Sequence, residues 1–218
     1  MGVYGVTVIC PGFHTWFGLF EGSLETLSYL YYDAPDLIEE LREMHERQLL
    51  KQAEMVIDAR PDFILTGGSG TITLQSPRIA RELTLPTLQK ITRMAKEAGV
   101  LTMVHSCGRE YDLVKMCAEE TDLNCINPLE EPPMGDCSLA QVKREFGDRL
   151  SLMGNLHTTN VMLFGTPEDV ERAAIKAIDD AGAGGGFILS TGDQCGRDTP
   201  EANIFKLVEV CKTYGRYS

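Results

Sequence analysis

The sequence is poor in basic residues and contains no long apolar run. Its 20 Lys and Arg residues stand against 32 Asp and Glu residues, and the formal charge of -12 repels phosphate backbones and anionic lipid. No stretch reaches the roughly 18 consecutive apolar residues that a membrane-spanning helix needs. The first ten residues lack the basic segment of a signal peptide. We therefore expect a cytoplasmic protein with neither nucleic acid nor membrane as a partner.

The cysteine pattern does not indicate a disulfide framework. The seven cysteines are odd in number and scattered along the chain, which is typical of reduced thiols or metal ligands. The length of 218 residues, with 43% hydrophobic and 24% charged side chains, suits one domain with a buried core. We expect residues 1–218 to form that single domain.

Short apolar runs alternate with longer amphipathic segments along the whole chain, which indicates an α/β fold. The short runs show little polar alternation, as expected for parallel strands covered on both faces. Predicted strands cover residues 3–9, 62–65, 100–104, 123–126, 150–153 and 186–189. Predicted helices cover residues 35–57, 79–98, 111–119, 138–146, 167–181 and 200–214.

Capping residues mark several of these helix ends. Thr166 and Thr199 each precede a proline, so each is predicted to cap a helix that begins at that proline, and Ser138 is predicted to cap in the same way. Gly99 and Gly182 stand where helices should end.

Six strand-helix units in series predict either a doubly wound sheet or most of a TIM (β/α)8-type barrel, which has eight units. Both architectures place their sites at the carboxyl ends of the strands. Gly68 and Ser69 follow a predicted strand without the spacing of a dinucleotide fingerprint. They form either a ligand-facing loop or a plain turn, whereas the glycines of residues 182–186 predict a helix-to-strand connection.

Two predicted strands are followed by residues that can bind a metal ion. His105 and Cys107 follow the third strand, and residues two apart in an extended segment project to the same side. A buried cysteine beside a hydrogen-bonded histidine is the alternative. Asp193 and Cys195 follow the last strand, and either can ligate zinc. Three protein ligands and an open fourth position are typical of catalytic zinc.

Several motifs together resemble the uroporphyrinogen decarboxylase superfamily. The His-x-Cys-Gly element is more similar to the cobamide-dependent methyltransferase branch than to the true decarboxylases. The resemblance covers about residues 62–217 and rests on Thr102-Met-Val-His-Ser-Cys-Gly108, Ile126-Asn-Pro-Leu-Glu-Glu-Pro-Pro-Met-Gly-Asp136, Phe146-Gly-Asp-Arg-Leu-Ser-Leu-Met-Gly-Asn155 and Asp198-Thr-Pro-Glu-Ala-Asn203.

The resemblance implies a TIM barrel whose first two strand-helix units are missing, leaving about six parallel strands. It also implies zinc held by His105, Cys107 and a late cysteine, with a thiol substrate that takes a methyl group from methylcobamide on a partner corrinoid protein. Asp193 occupies the place of the family's late cysteine, and Cys195 follows two residues later. The third ligand is therefore Cys195 or Asp193, unless there is no metal.

Other residues near strand ends carry two interpretations. Glu130, Asn155 and His157 are predicted to bind substrate, as are the glycine-loop residues described above. A solvated loop charge is the alternative for Glu130, and a helix cap is the alternative for His157. The aromatic loop around His14 either closes over an apolar cofactor face or is buried.

The function is therefore expected to be zinc-dependent methyl transfer between a corrinoid protein and a thiol or similar acceptor. A decarboxylase of the uroporphyrinogen type is the alternative, although the region that carries the family's carboxylate-binding arginines has no counterpart here. A non-catalytic corrinoid-binding remnant is a further alternative. An unfinished barrel would expose two sheet edges, so we expect a fragment of a longer protein or a homo-oligomer that covers those edges.

Overall fold

The computed structural model describes residues 3–216, which divide into two compact units. The first unit takes in the described residues up to Ser106 together with Asp112–Asn124. The second takes in Cys107–Tyr111 and the described residues from Cys125 onward.

The first unit contains three parallel strands, β1 (Gly5–Thr7), β2 (Phe63–Gly67) and β3 (Leu101–His105), in that order. Burial of aromatic and aliphatic side chains from its first four helices forms a core cluster, which consists of Phe13, Trp16, Leu27, Tyr31, Ile38 and Leu83. Its helices are α1 (Phe13–Trp16), α2 (Ser23–Asp33), α3 (Pro35–Asp58), α4 (Ser76–Leu83), α5 (Leu85–Ala98) and most of α6 (Tyr111–Glu120).

The second unit contains the parallel strands β4 (Cys125–Asn127), β5 (Ser151–Leu156) and β6 (Phe187–Thr191), again in chain order. Its helices are α7 (Leu139–Phe146), a π-helix (Thr158–Leu163), α8 (Pro167–Ala181) and α9 (Glu201–Thr213). The buried residues of α8 include Val170, Ala174 and Ala177, which recur at helical spacing and form its apolar face.

All six predicted strands are confirmed, with ends shifted by one to three residues. Five predicted helices, at 35–57, 111–119, 138–146, 167–181 and 200–214, are confirmed to within one residue. The capping box at Thr166 is present, because its hydroxyl accepts the Asp169 N–H while the Asp169 carboxylate accepts the Thr166 N–H. Gly99 ends α5 in the left-handed conformation. The glycines of residues 182–186 do connect α8 to β6.

The single helix predicted at 79–98 is wrong. The chain forms α4 and α5 instead, with Thr84 between them. Pro86 has no N–H to donate to the Glu82 carbonyl, and its ring crowds that turn, so a continuous helix cannot pass through it. The Thr84 hydroxyl donates to the Pro11 carbonyl instead.

Two predicted caps are also wrong in detail. The last helix begins at Glu201 with Pro200 at the N-cap, so Thr199 lies outside the helix and makes no capping bond. Ser138 does lie at the N-cap of α7, but its hydroxyl makes no capping hydrogen bond. Three helices were not predicted, namely α1, α2 and the π-helix.

Within residues 3–216, no helix is long and apolar enough to cross a membrane. All seven cysteines lie in this range, and none of them forms a disulfide.

Candidate metal centre

In the second unit, the side chains of Cys107 and Asp193, which can both ligate a metal ion, lie close together. The Cys107 sulfur and an Asp193 carboxylate oxygen lie within 4.8 Å of each other. His105 is the last residue of β3 in the first unit, two residues before Cys107 in the chain, and its imidazole can also ligate a metal ion. All three residues are half-buried.

The donor set fits a zinc ion. Imidazole nitrogen, thiolate sulfur and carboxylate oxygen are the three ligand types that zinc takes in proteins, and three protein ligands leave a fourth position for a substrate. Cys195 is half-buried and, among the described residues, does not belong to the group that contains Asp193.

Carboxylates hold the loop that carries Cys107. Glu130 accepts the Gly108 N–H at 2.7 Å, and Asp136 accepts the N–H groups of Glu110 and Tyr111 at 2.8 and 3.0 Å. Charge-assisted bonds of this kind are stronger than neutral ones. Because Tyr111 begins α6, Asp136 also satisfies a donor at that helix start.

Three of the predicted substrate-binding residues line one cavity of about 130 Å³ in the second unit. They are Glu130, which is buried, and Asn155 and His157, which are half-buried. Asn155 donates to the Leu129 carbonyl at 3.0 Å. The rest of the wall includes the apolar side chains of Met134 and Val161.

His157 caps the π-helix that follows it. Its Nδ1 accepts the N–H groups of Thr159 and Asn160, each at 3.1 Å. In the neutral ring the proton is then on Nε2, so this side chain has a defined donor besides its capping acceptor.

The glycine loop after β2 lies beside a buried histidine. Gly68 is half-buried and donates its N–H to the His105 carbonyl at 3.0 Å, while Ser69 is exposed. A β-carbon on Gly68 would lie 2.5 Å from Cδ2 of His14, so only glycine fits there. The loop is thus held against the end of β3 on one side and against His14 on the other.

His14 is 7% exposed and lies in a fixed hydrogen-bond chain. The Gln75 side-chain oxygen Oε1 accepts the Phe13 N–H. Its amide nitrogen is therefore the donor in the two other contacts, to His14 Nδ1 at 3.3 Å and to the Thr84 hydroxyl at 2.9 Å. Burial lowers the pKa of His14 to about 4. The burial interpretation of this loop is therefore confirmed for His14, Phe13 and Trp16.

Burial and nearby carboxylates suppress the acidity of two other cysteines in the second unit. Burial, and then Glu110, Asp136 and Glu130, raise the pKa of the Cys137 thiol far above its ordinary value. Burial also raises the pKa of Cys125 to about 11. These thiols are protonated at neutral pH and belong to the packing of the unit.

Sequence reasoning missed Glu110, Asp136 and Gln75. Glu110 and Asp136 stand one and two residues before the predicted helices at 111 and 138. The first N–H groups of a helix need acceptors, and that need was the available signal. Gln75 had none, since its role depends on Phe13 and Thr84, which are distant in sequence.

Comparisons with known proteins agree with the predicted fold class. A family model described as uroporphyrinogen decarboxylase (URO-D) matches residues 18–214. Among solved structures, a methyltransferase from Methanosarcina mazei has a TM-score of 0.73 at 21% identity and covers 89% of this chain and 54% of that one. This likeness confirms the predicted α/β fold of TIM-barrel type.

Curated proteins of two kinds are similar in sequence. A methylcobamide:CoM methyltransferase of Methanosarcina mazei is 32% identical over 162 residues, which cover 69% of this chain and 44% of that protein. A uroporphyrinogen decarboxylase of Coxiella burnetii is 32% identical over 76 residues, which cover 35% of this chain and 20% of that protein. The chain spans less than half the length of these relatives.

Proposed function

Because the chain belongs to the uroporphyrinogen decarboxylase family, we propose that it acts as a zinc-dependent methyltransferase of corrinoid metabolism. It moves a methyl group between a corrinoid protein and a thiol or a similar acceptor. The similarity to a methylcobamide:CoM methyltransferase over 69% of the chain supports this class of reaction. Seven cysteines without a disulfide support a reducing, cytoplasmic location.

The observation that carries the proposal is the pair of donors Cys107 and Asp193 in the second unit, with His105 two residues before Cys107 in the chain. These residues would hold the zinc ion, with Cys195 as the alternative third ligand. When bound, zinc stabilises a substrate thiolate near neutral pH, where a free thiol is mostly protonated and a poor nucleophile.

The residues around this group have separate tasks in the proposal. Asn155, His157 and Glu130 line the adjoining cavity and supply the polar contacts that orient the acceptor. Gly68 and Ser69 contribute the loop after β2, which Gly68 holds to the His105 carbonyl. None of these roles requires a proton transfer by the chain itself.

The charges of the second unit disfavour the decarboxylase alternative. Glu110, Glu130 and Asp136 are clustered beside Cys107. A substrate with several carboxylates needs cations to hold it, and Arg109, beside this cluster, is already paired with Asp136.

Anaerobic transfer of the methyl group from methylcobalamin to coenzyme M tests the proposal. The zinc-loaded protein is expected to accelerate the absorbance change that accompanies demethylation of the corrinoid. His105→Ala should return the rate to the uncatalysed value, because it removes a ligand. Cys211→Ala serves as the matched control, since Cys211 is a half-buried residue of α9 and should leave the rate unchanged.

A wild-type rate equal to the uncatalysed rate would contradict the proposal. Release of carbon dioxide from uroporphyrinogen by the same preparation would favour the decarboxylase instead.

A further inference from the structure

One buried side chain touches both loops that carry ligands in the second unit. Glu130 is 8% exposed, and its Oε2 accepts the N–H of Gly108, the residue after Cys107, at 2.7 Å. On another side it lies against the residue before Asp193, since a β-carbon on Gly192 would be 3.4 Å from Glu130 Cγ.

We propose that Glu130 is a positioning residue that sets the distance between Cys107 and Asp193. This inference rests on the proposed zinc site. Among the described residues, Glu130 is not part of the group of ligand atoms that lie within 4.8 Å of one another. It acts on that group through the backbone, by holding Gly108 and packing against Gly192.

The backbone on either side of Glu130 is itself fixed. The Leu129 N–H donates to Glu110 at 2.8 Å, and the Leu129 carbonyl accepts from Asn155. The Glu130 carbonyl accepts the Cys137 N–H at 3.1 Å. Two carboxylates therefore join the two loops in opposite directions. Glu110, in the loop that carries Cys107, accepts the Leu129 N–H. Glu130, the residue after Leu129, accepts the Gly108 N–H in the loop that carries Cys107.

The affinity for a metal ion depends on how the loop that carries Cys107 is held. Zinc-ligand distances tolerate only about 0.2 Å, so a shift of the Cys107 sulfur weakens binding. Groups that hydrogen-bond near metal ligands typically contribute 10- to 100-fold to metal affinity. To hold the loop, residue 130 needs only an acceptor oxygen within hydrogen-bond distance of the Gly108 N–H. The neutral amide of a glutamine also provides such an oxygen.

The chain offers matched variants for a test. Glu130→Gln keeps an acceptor oxygen and removes the charge, whereas Glu130→Ala removes both. Glu131→Ala is the control, because Glu131 has the same charge one residue away but is exposed and pairs with Lys176 at 3.5 Å. Glu130→Asp keeps the charge and shortens the reach by one methylene, so it replaces the alanine variant if that variant does not fold.

Hydrogen exchange of the Gly108 amide tests the contact without any metal. NMR should show exchange at least about tenfold faster in Glu130→Ala, the expected effect of losing a bond to a charged acceptor. Exchange in Glu131→Ala should stay within about threefold of the wild type, and Glu130→Gln, which keeps a neutral acceptor, should exchange more slowly than Glu130→Ala. Unchanged protection in Glu130→Ala would overturn the inference.

Cobalt(II) tests the consequence for the metal centre. The thiolate-to-cobalt charge-transfer absorption should shift or weaken in Glu130→Ala, and zinc affinity measured against a chelator should fall about 10- to 100-fold. Glu130→Gln should match the wild type in both. A glutamine variant as weak as the alanine variant would refute positioning, because it would mean that the charge itself is needed.

The experiments distinguish a failure of the proposed zinc site from a failure of the proposed role of Glu130. If the wild-type chain binds no metal, the zinc site is wrong, while the exchange of Gly108 still decides whether Glu130 holds the Cys107 loop.

Discussion

The buried His14 should make the fold sensitive to mild acid. Its pKa is about 4 in the folded protein and about 6.5 when exposed. Between these values the unfolded chain binds a proton that the folded chain does not, so stability is present above pH 6.5 and is lost as the pH falls toward 4. At pH 5 the loss relative to pH 7.5 is about 2 kcal/mol for this one group.

Urea unfolding of the wild type and of His14→Gln at pH 7.5 and pH 5 measures this quantity. Glutamine cannot titrate, and its amide oxygen can still accept from Gln75. Other groups that titrate in this range contribute equally to both proteins, so they cancel in the difference. We expect the wild type to lose about 2 kcal/mol more than the variant between the two pH values. Equal losses would refute the assignment of His14 as a buried, neutral acceptor of the Gln75 amide.

Three substitutions test other contacts by the same unfolding measurement. Glu46→Ala should lower the free energy of unfolding by about 2 kcal/mol, because buried Glu46 accepts the Thr87 hydroxyl at 2.8 Å; no loss would contradict that role. Gly68→Ala should cost about 1 to 3 kcal/mol through its clash with His14, and a neutral effect would show that the loop is free to move. Thr166→Ala should cost about 1 kcal/mol through loss of the capping box at α8.

The strands were predictable because their signal is local. Short aliphatic runs bounded by glycine, proline and polar residues identify parallel strands without knowledge of their neighbours. The start of α8 was equally local, since Thr166, Pro167 and Asp169 are adjacent in sequence. By contrast, α2 was missed because its three tyrosines, which suit a strand as well as a helix, stand among its three leucines. Its helical state depends on packing of Leu27 and Tyr31 in the core cluster.

The site was predictable only as far as strand ends could be located. His105 and Cys107 follow from their spacing at the end of β3, and the sequence left Asp193 and Cys195 as alternatives. Their relative positions depend on how residues 192–195 turn, which no local pattern specifies. The structure groups Asp193 with Cys107. The contact of Glu130 with Gly108 joins residues 22 positions apart, so it too required the fold.

Zinc content of the purified chain and four alanine variants tests the central claim most directly. The wild type should bind about one zinc per chain, and His105→Ala, Cys107→Ala and Asp193→Ala should each bind much less, because three ligands are needed. Cys195→Ala should keep its zinc, since Cys195 is not grouped with the other ligands among residues 3–216. A wild-type chain that stays free of metal after exposure to zinc would contradict the account, and loss of zinc in Cys195→Ala with retention in Asp193→Ala would contradict its ligand assignment.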